Sequence, residues 1–138
     1  MRSLLDIDVV IALLDSDHDF HHRAHRWWET ARAVGWASSP LTENGVIRIL
    51  SHPAYNPRRS LSPGDVSDLL RAFVSASDHE FWADGVSFLD AGSIDPRRVL
   101  GPRQVTDVYL LALAASRGGR LVTFDASIHR EAVVEATE

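Results

Sequence analysis

The 138 residues carry a formal net charge of −5 and no cysteine, so disulfides, thiolate nucleophiles and thiolate-held zinc or iron–sulfur groups are excluded. All 14 basic residues are arginines, which removes Schiff-base catalysis, a P-loop lysine and lysine-dependent phosphoacceptor chemistry. The length suits one domain over residues 1–138, burying roughly two thirds of its unfolded surface. The opening apolar run is short and broken by Asp6 and Asp8, and no later run approaches the roughly 18 residues of a membrane span. A soluble, cytoplasmic protein is the expectation.

Ser3 to Leu5 reads as a short buried strand that delivers Asp6 at its end. Val9 to Leu14 is apolar enough for a strand continuation or a buried helix. A helix is preferred, because a strand, an exposed acid and a tight turn into a helix is the common α/β arrangement, with Asp8 available as cap. Asp15 to Asp19 makes a polar turn, after which Phe20, Ala24, Trp27, Trp28 and Ala31 form one apolar helical stripe ended by Gly35. Trp36 to Ser38 is the next strand candidate. Ser39-Pro40 leads into a helix through Glu43 that stops near Ser51, and residues 51–61 are loop-like. Ser62-Pro63-Gly64-Asp65 has capping-box spacing, with Val66, Leu69, Leu70 and Phe73 as the buried stripe of its helix. His79 to Trp82 reads as a strand and Val86 to Leu89 as a connecting helical turn. Thr106 and Asp107 open a strong helix through Ala115, closed by Gly118-Gly119, and Leu121 to Thr123 is a last strand before Asp125. This alternation argues for an α/β fold, a parallel sheet with helices on both faces.

Glu43 and Asp107 each lead an apolar stripe at helical spacing: Val46, Ile47 and Leu50 follow the first, Leu110, Leu111 and Ala114 the second. A carboxylate turned toward a core is costly unless a cation or hydrogen bonds compensate it. Asp6 and Asp125 follow strand-like runs, and open α/β sheets bind ligands beyond the carboxyl ends of their strands, so the four acids can converge. Two carboxylates about 5 Å apart repel by roughly 3 kcal/mol at an effective dielectric near 20, which favours a bound ion. Hard, oxygen-only ligands suit Mg²⁺ or Mn²⁺. Such a centre activates water and stabilises the leaving oxygen of a phosphodiester, which is nuclease chemistry.

His21 and His25, within the group His18, His21, His22 and His25, share a helix face at i, i+4. The run His21-His22-Arg23-Ala24-His25 lacks the glutamate of the zinc hydrolase motif, so a solvated or dimer-facing helix is the reading. Tyr55 with Arg58 and Arg59 is a candidate RNA contact, the ring to stack a base and the arginines to hold phosphates. Arg48, one turn after Glu43, is another, as is Arg103 with Arg97 and Arg98 before the Asp107 helix.

The runs Leu4-Leu5-Asp6-Ile7-Asp8-Val9, Thr42-Glu43-Asn44, Gln104-Val105-Thr106-Asp107 and Leu121-Val122-Thr123-Phe124-Asp125 together resemble the PIN-domain ribonucleases, specifically VapC-type toxins of toxin–antitoxin pairs. The resemblance extends over nearly the whole chain in the family's order and spacing. It implies a three-layer α/β/α domain around a parallel sheet and a Mg²⁺- or Mn²⁺-dependent endoribonuclease. It also implies a homodimer, and inhibition by a small VapB-type antitoxin bound across the active site. The family's acids fall on Asp6, Glu43, Asp107 and Asp125, and its metal-site threonine on Thr123. Asp8 departs from close relatives that often carry asparagine there, which leaves it as a cap or as charge behind the ligands. Two alternatives stand beside this reading. Asp6-Ile7-Asp8 copies the opening of a HAD-like phosphohydrolase, although Val9 and Val10 replace its polar continuation. A non-catalytic module could use the same acids only to hold metal or antitoxin.

Overall fold

The computed structural model describes residues 1–125. Four three-residue strands, Ser3–Leu5 (β1), Trp36–Ser38 (β2), His79–Phe81 (β3) and Arg120–Val122 (β4), form one sheet in the order β3-β2-β1-β4. All pairings are parallel, with Leu4 opposite both Ala37 and Leu121, and Ser38 opposite Phe81. A parallel ladder ends every strand at one edge, so Asp6, Ser39 and Thr123, which follow β1, β2 and β4, emerge side by side.

The helices are Ile7–Leu14 (α1), His21–Ala31 (α2), Pro40–Leu50 (α3), Pro63–Ser75 (α4) and Val105–Ser116 (α5). Successive strand residues face opposite sides, and the core divides accordingly. Leu5 and Trp36 pack into the layer of α1, α2, α3 and α4, whereas Leu4 and Ala37 pack against Leu110, Leu113 and Ala114 of α5. The result is a three-layer α/β/α fold. Trp36, the largest fully buried side chain, lies 5.2 Å from the Phe73 ring and donates its indole N–H to Ser77 Oγ at 2.8 Å. That bond lets a Trp occupy the interior without an unsatisfied polar atom.

Helix starts follow from local chemistry. Ser39 caps α3 with Pro40 at its first position, and Ser62 and Asp65 form a reciprocal capping box at α4. Gly45 lets α3 approach α1 closely, because a Cβ there would sit 2.5 Å from Ile7 Cδ1. At the opposite edge from Asp6, the Arg2 guanidinium donates to Trp36 O at 3.0 Å and pairs with Asp78 and Glu80, each at 3.0 Å. These bonds pin the start of β1 to β2 and to the entry of β3.

Several expectations need correction. α1 begins at Ile7 and its cap is Asp6, not Asp8, because Asp6 Oδ1 accepts from the first helical N–H. Val86 to Leu89 form no helical turn; Val86 and Phe88 instead plug the space beside Ile94 and Val108 without periodic hydrogen bonding. Phe20 and Leu69, assigned to buried stripes, are 43% and 42% exposed. The last strand lies one residue earlier than expected, at 120–122.

Candidate metal centre

Asp6 is only 7% exposed and each of its oxygens has a fixed donor. Oδ1 accepts from Ile7 N at 2.7 Å, and Oδ2 accepts from Thr123 Oγ1 at 2.9 Å. Thr123 is itself held, since its Oγ1 accepts from Asp125 N at 3.0 Å. The backbone explains this geometry: Asp6 N donates to Val122 O at 3.0 Å, so the end of β1 is tied to the end of β4.

Asp107, in the first turn of α5, reaches the same place from the other layer. Burial, then the charges of Asp6, Asp125 and Asp8, push its carboxyl up to about 7. The negative charges of Asp6, Asp125 and Asp8 all lie close enough to oppose its ionisation. Burial also raises Asp6, against the lowering effect of Thr123 and Ile7. Three carboxyls, those of Asp6, Asp107 and Asp125, thus crowd together, and every donor atom is oxygen. A hard divalent cation fits that donor set, because it would supply the positive charge that these crowded groups lack. Among the described residues, no group of three or more acidic or histidine side chains is arranged to hold a metal ion.

Glu43 arrives from the first turn of α3 and has its own support. Ser38 Oγ donates to Glu43 Oε2 at 2.6 Å and lies 2.7 Å from His79 Nε2. With its one proton directed to Glu43, Ser38 accepts from His79, and this assigns the ring's proton to Nε2. Ser38 is 1% exposed and the His79 ring stacks at 4.6 Å from Trp36. Burial depresses the imidazole, opposed by the Glu43 charge. Neither Ser38 nor His79 was a sequence candidate. Their contact spans 41 residues and no motif encodes it. Asp8 is exposed beside the cluster.

The suggested RNA contacts scatter. Arg48 lies with Ile7, Asn44, His52 and Thr106 along a groove between α3 and the start of α5. Tyr55 is half-buried against the core and its hydroxyl donates to Asp15, so its ring is fixed in a wall. Arg59 lines a small cavity beside it, Arg58 is exposed nearby, and Arg103 is exposed in the short helical turn Pro102–Gln104. His21 Nδ1 and His25 Nε2 contact Ala12 O and Leu13 O at 2.7 and 3.2 Å. These two rings therefore satisfy carbonyls in the last turn of α1, which its own helix leaves unpaired.

Short parallel strands that deliver acids to one edge, joined there by an acid from a facing helix, define the PIN architecture, and the PIN domain model matches residues 3–133. The chain belongs to the PIN domain family. Ribonuclease VapC44 of Mycobacterium tuberculosis is 47% identical over 138 residues, covering all of this chain and 96% of the relative. Ribonuclease VapC39 of the same species is 41% identical over 128 residues, covering 93% of this chain and 91% of the relative. A crystal structure of VapBC2 from Rickettsia felis bound to a promoter DNA fragment superposes with a TM-score of 0.59 over 92% of this chain and 90% of that one. At 13% identity, that likeness supports the fold alone.

Proposed function

We propose that the chain is a VapC-type toxin, a Mg²⁺- or Mn²⁺-dependent endoribonuclease restrained by a cognate VapB-type antitoxin. The observation that carries the reading is the gathering of Asp6, Asp107 and Asp125 at the carboxyl edge of the sheet, in a family whose full-length relatives are named ribonucleases. Asp6, Asp107, Asp125 and Glu43 would hold the metal, with Thr123 orienting Asp6 and Asp8 adding charge behind it. A divalent ion held there would offset phosphate charge and would favour deprotonation of a water, which is the nucleophile that attack at phosphorus needs. The chain's own part is orientation. Ile7 N and Thr123 fix both oxygens of Asp6, Ser38 fixes one oxygen of Glu43, and Asp107 must surrender its proton before it can act as a ligand.

Among the described residues no helix is long and apolar enough to cross a membrane, which agrees with a cytoplasmic site of action. A homodimer and an antitoxin segment that places an arginine among the acids complete the proposal. The HAD-like alternative draws no support from relatives named as ribonucleases.

The test uses antitoxin-free protein beside its Asp6→Asn variant, incubated with total bacterial RNA in Mg²⁺, Mn²⁺ or EDTA, with the new 5′ ends mapped. Discrete metal-dependent cuts absent from the variant are expected. Folded, metal-binding protein that makes no cut would return the chain to a non-catalytic binding module.

A further inference from the structure

Beside the acids, on the side of α2, stands a group that the proposed chemistry has not used. The Arg23 guanidinium lies over two aromatic faces at once, 5.3 Å from the Phe124 centroid and 5.7 Å from that of Phe20. The rings themselves sit 4.9 Å apart at 52°, and His18 extends the row, 5.9 Å from Phe20. Phe124 lies in sequence between Thr123 and Asp125, so the group is joined directly to the candidate metal centre. Among the described residues Arg23 forms no ion pair with a carboxylate, although acids crowd the neighbouring edge.

We infer that His18, Phe20, Arg23 and Phe124 form a nucleotide subsite, in which Arg23 grips an RNA phosphate next to the one being cut and Phe20 stacks the attached base. The inference rests on the ribonuclease reading and deepens it. Two ring faces hold the guanidinium plane in place while leaving its edge N–H groups free, which is the geometry that binds a phosphate bidentately. Phe20 is 43% exposed, so part of its ring is open for a base to pack against. Single-stranded RNA supplies both partners in one unit: an anionic phosphate and a flat base. A cluster of carboxylates repels a polyanion, so a fixed cation at its rim also offsets that repulsion where the strand enters.

The test uses the cleavage-deficient Asp6→Asn protein as parent and titrates a labelled mixed-sequence single-stranded RNA over a series of potassium chloride concentrations. Adding Arg23→Gln should weaken binding about tenfold and reduce the slope of log affinity against log salt by about 0.7, the value for one lost single-strand phosphate contact. Adding Phe20→Ala should weaken binding about tenfold without changing that slope, because a stacked base carries no counterion. Arg26→Gln, on an exposed part of the same helix, should match the parent. Thermal unfolding of each variant separates lost binding from lost structure.

If the parent binds and the wild-type protein cleaves, yet a folded Arg23→Gln variant shows unchanged affinity and slope, the subsite is wrong and the nuclease reading stands. If the wild-type protein neither binds nor cuts RNA, both fail together. Loss of antitoxin-peptide affinity in Arg23→Gln with RNA affinity intact would make this surface a protein dock and overturn the subsite.

Discussion

Asp6 illustrates how one residue can serve the fold and the chemistry together. As the cap of α1 it accepts the first helical N–H, and its second oxygen is held by Thr123. Asp6→Asn keeps a side chain that can cap but removes the charge, so the helix should survive while cleavage falls roughly a thousandfold, read from initial rates on a defined RNA. Thr123→Val separates orientation from ligation. It leaves the carboxylate and removes its hydroxyl donor, so the Mg²⁺ concentration for half-maximal rate should rise roughly 10- to 100-fold while the rate at saturating metal stays near wild type. A variant that instead loses rate at every metal concentration would show that Thr123 acts on the substrate. Ser38 and His79 hold Glu43 in the same manner from the far side of β2.

At the scale of elements, β4 governs how closely the two halves of the site approach. Gly119 precedes it, and a Cβ there would meet the backbone oxygen of Arg2 at 2.8 Å and the Trp82 ring at 2.6 Å. The oxygen cannot swing aside as a flexible side chain would. Gly119→Ala should therefore cost about 1–3 kcal/mol in urea unfolding and move Thr123 and Asp125 away from Asp6, so activity should drop by more than stability alone accounts for. The sequence made most of this framework legible. Asp6 and Asp125 follow short apolar runs, Glu43 and Asp107 lead helical stripes, and the Ser62 capping box sets the start of α4. What stayed hidden has physical causes. Phe20 fits the helical spacing of its neighbours but precedes the first helical residue, so its ring projects outward. Val86 and Phe88 are apolar because they fill gaps, a role without periodicity. The Ser38–His79 contact joins strands far apart in sequence, and nothing in either segment announces the other. The order of four runs names the candidate acids, whereas the hydrogen bond that orients Asp6 joins it to a residue 117 positions away.

For the molecule as a whole, crowded carboxyls make stability depend on pH and metal together. The folded Asp107 carboxyl sits at about 7, above its ordinary 3.8, so between those values the native state holds a proton that the unfolded chain releases. Metal-free stability should therefore fall as pH rises from 4 to 7, by on the order of 2 kcal/mol after allowance for partial exposure. Melting in EDTA across that range should show the decline, Mg²⁺ should abolish it, and Asp107→Asn should flatten it; a metal-free protein equally stable throughout would refute the crowding. The bond between Asp6 and Thr123 has a further consequence, because it closes a loop of 117 residues. Synthesis places Thr123 117 residues after Asp6, so the two meet only once the elements between them have been made. Until β4 docks beside β1, Asp6 lacks its hydroxyl donor and Asp125 stands apart from it. The site is thereby a late product of folding, and a chain that has not paired β4 with β1 cannot bring its acids together.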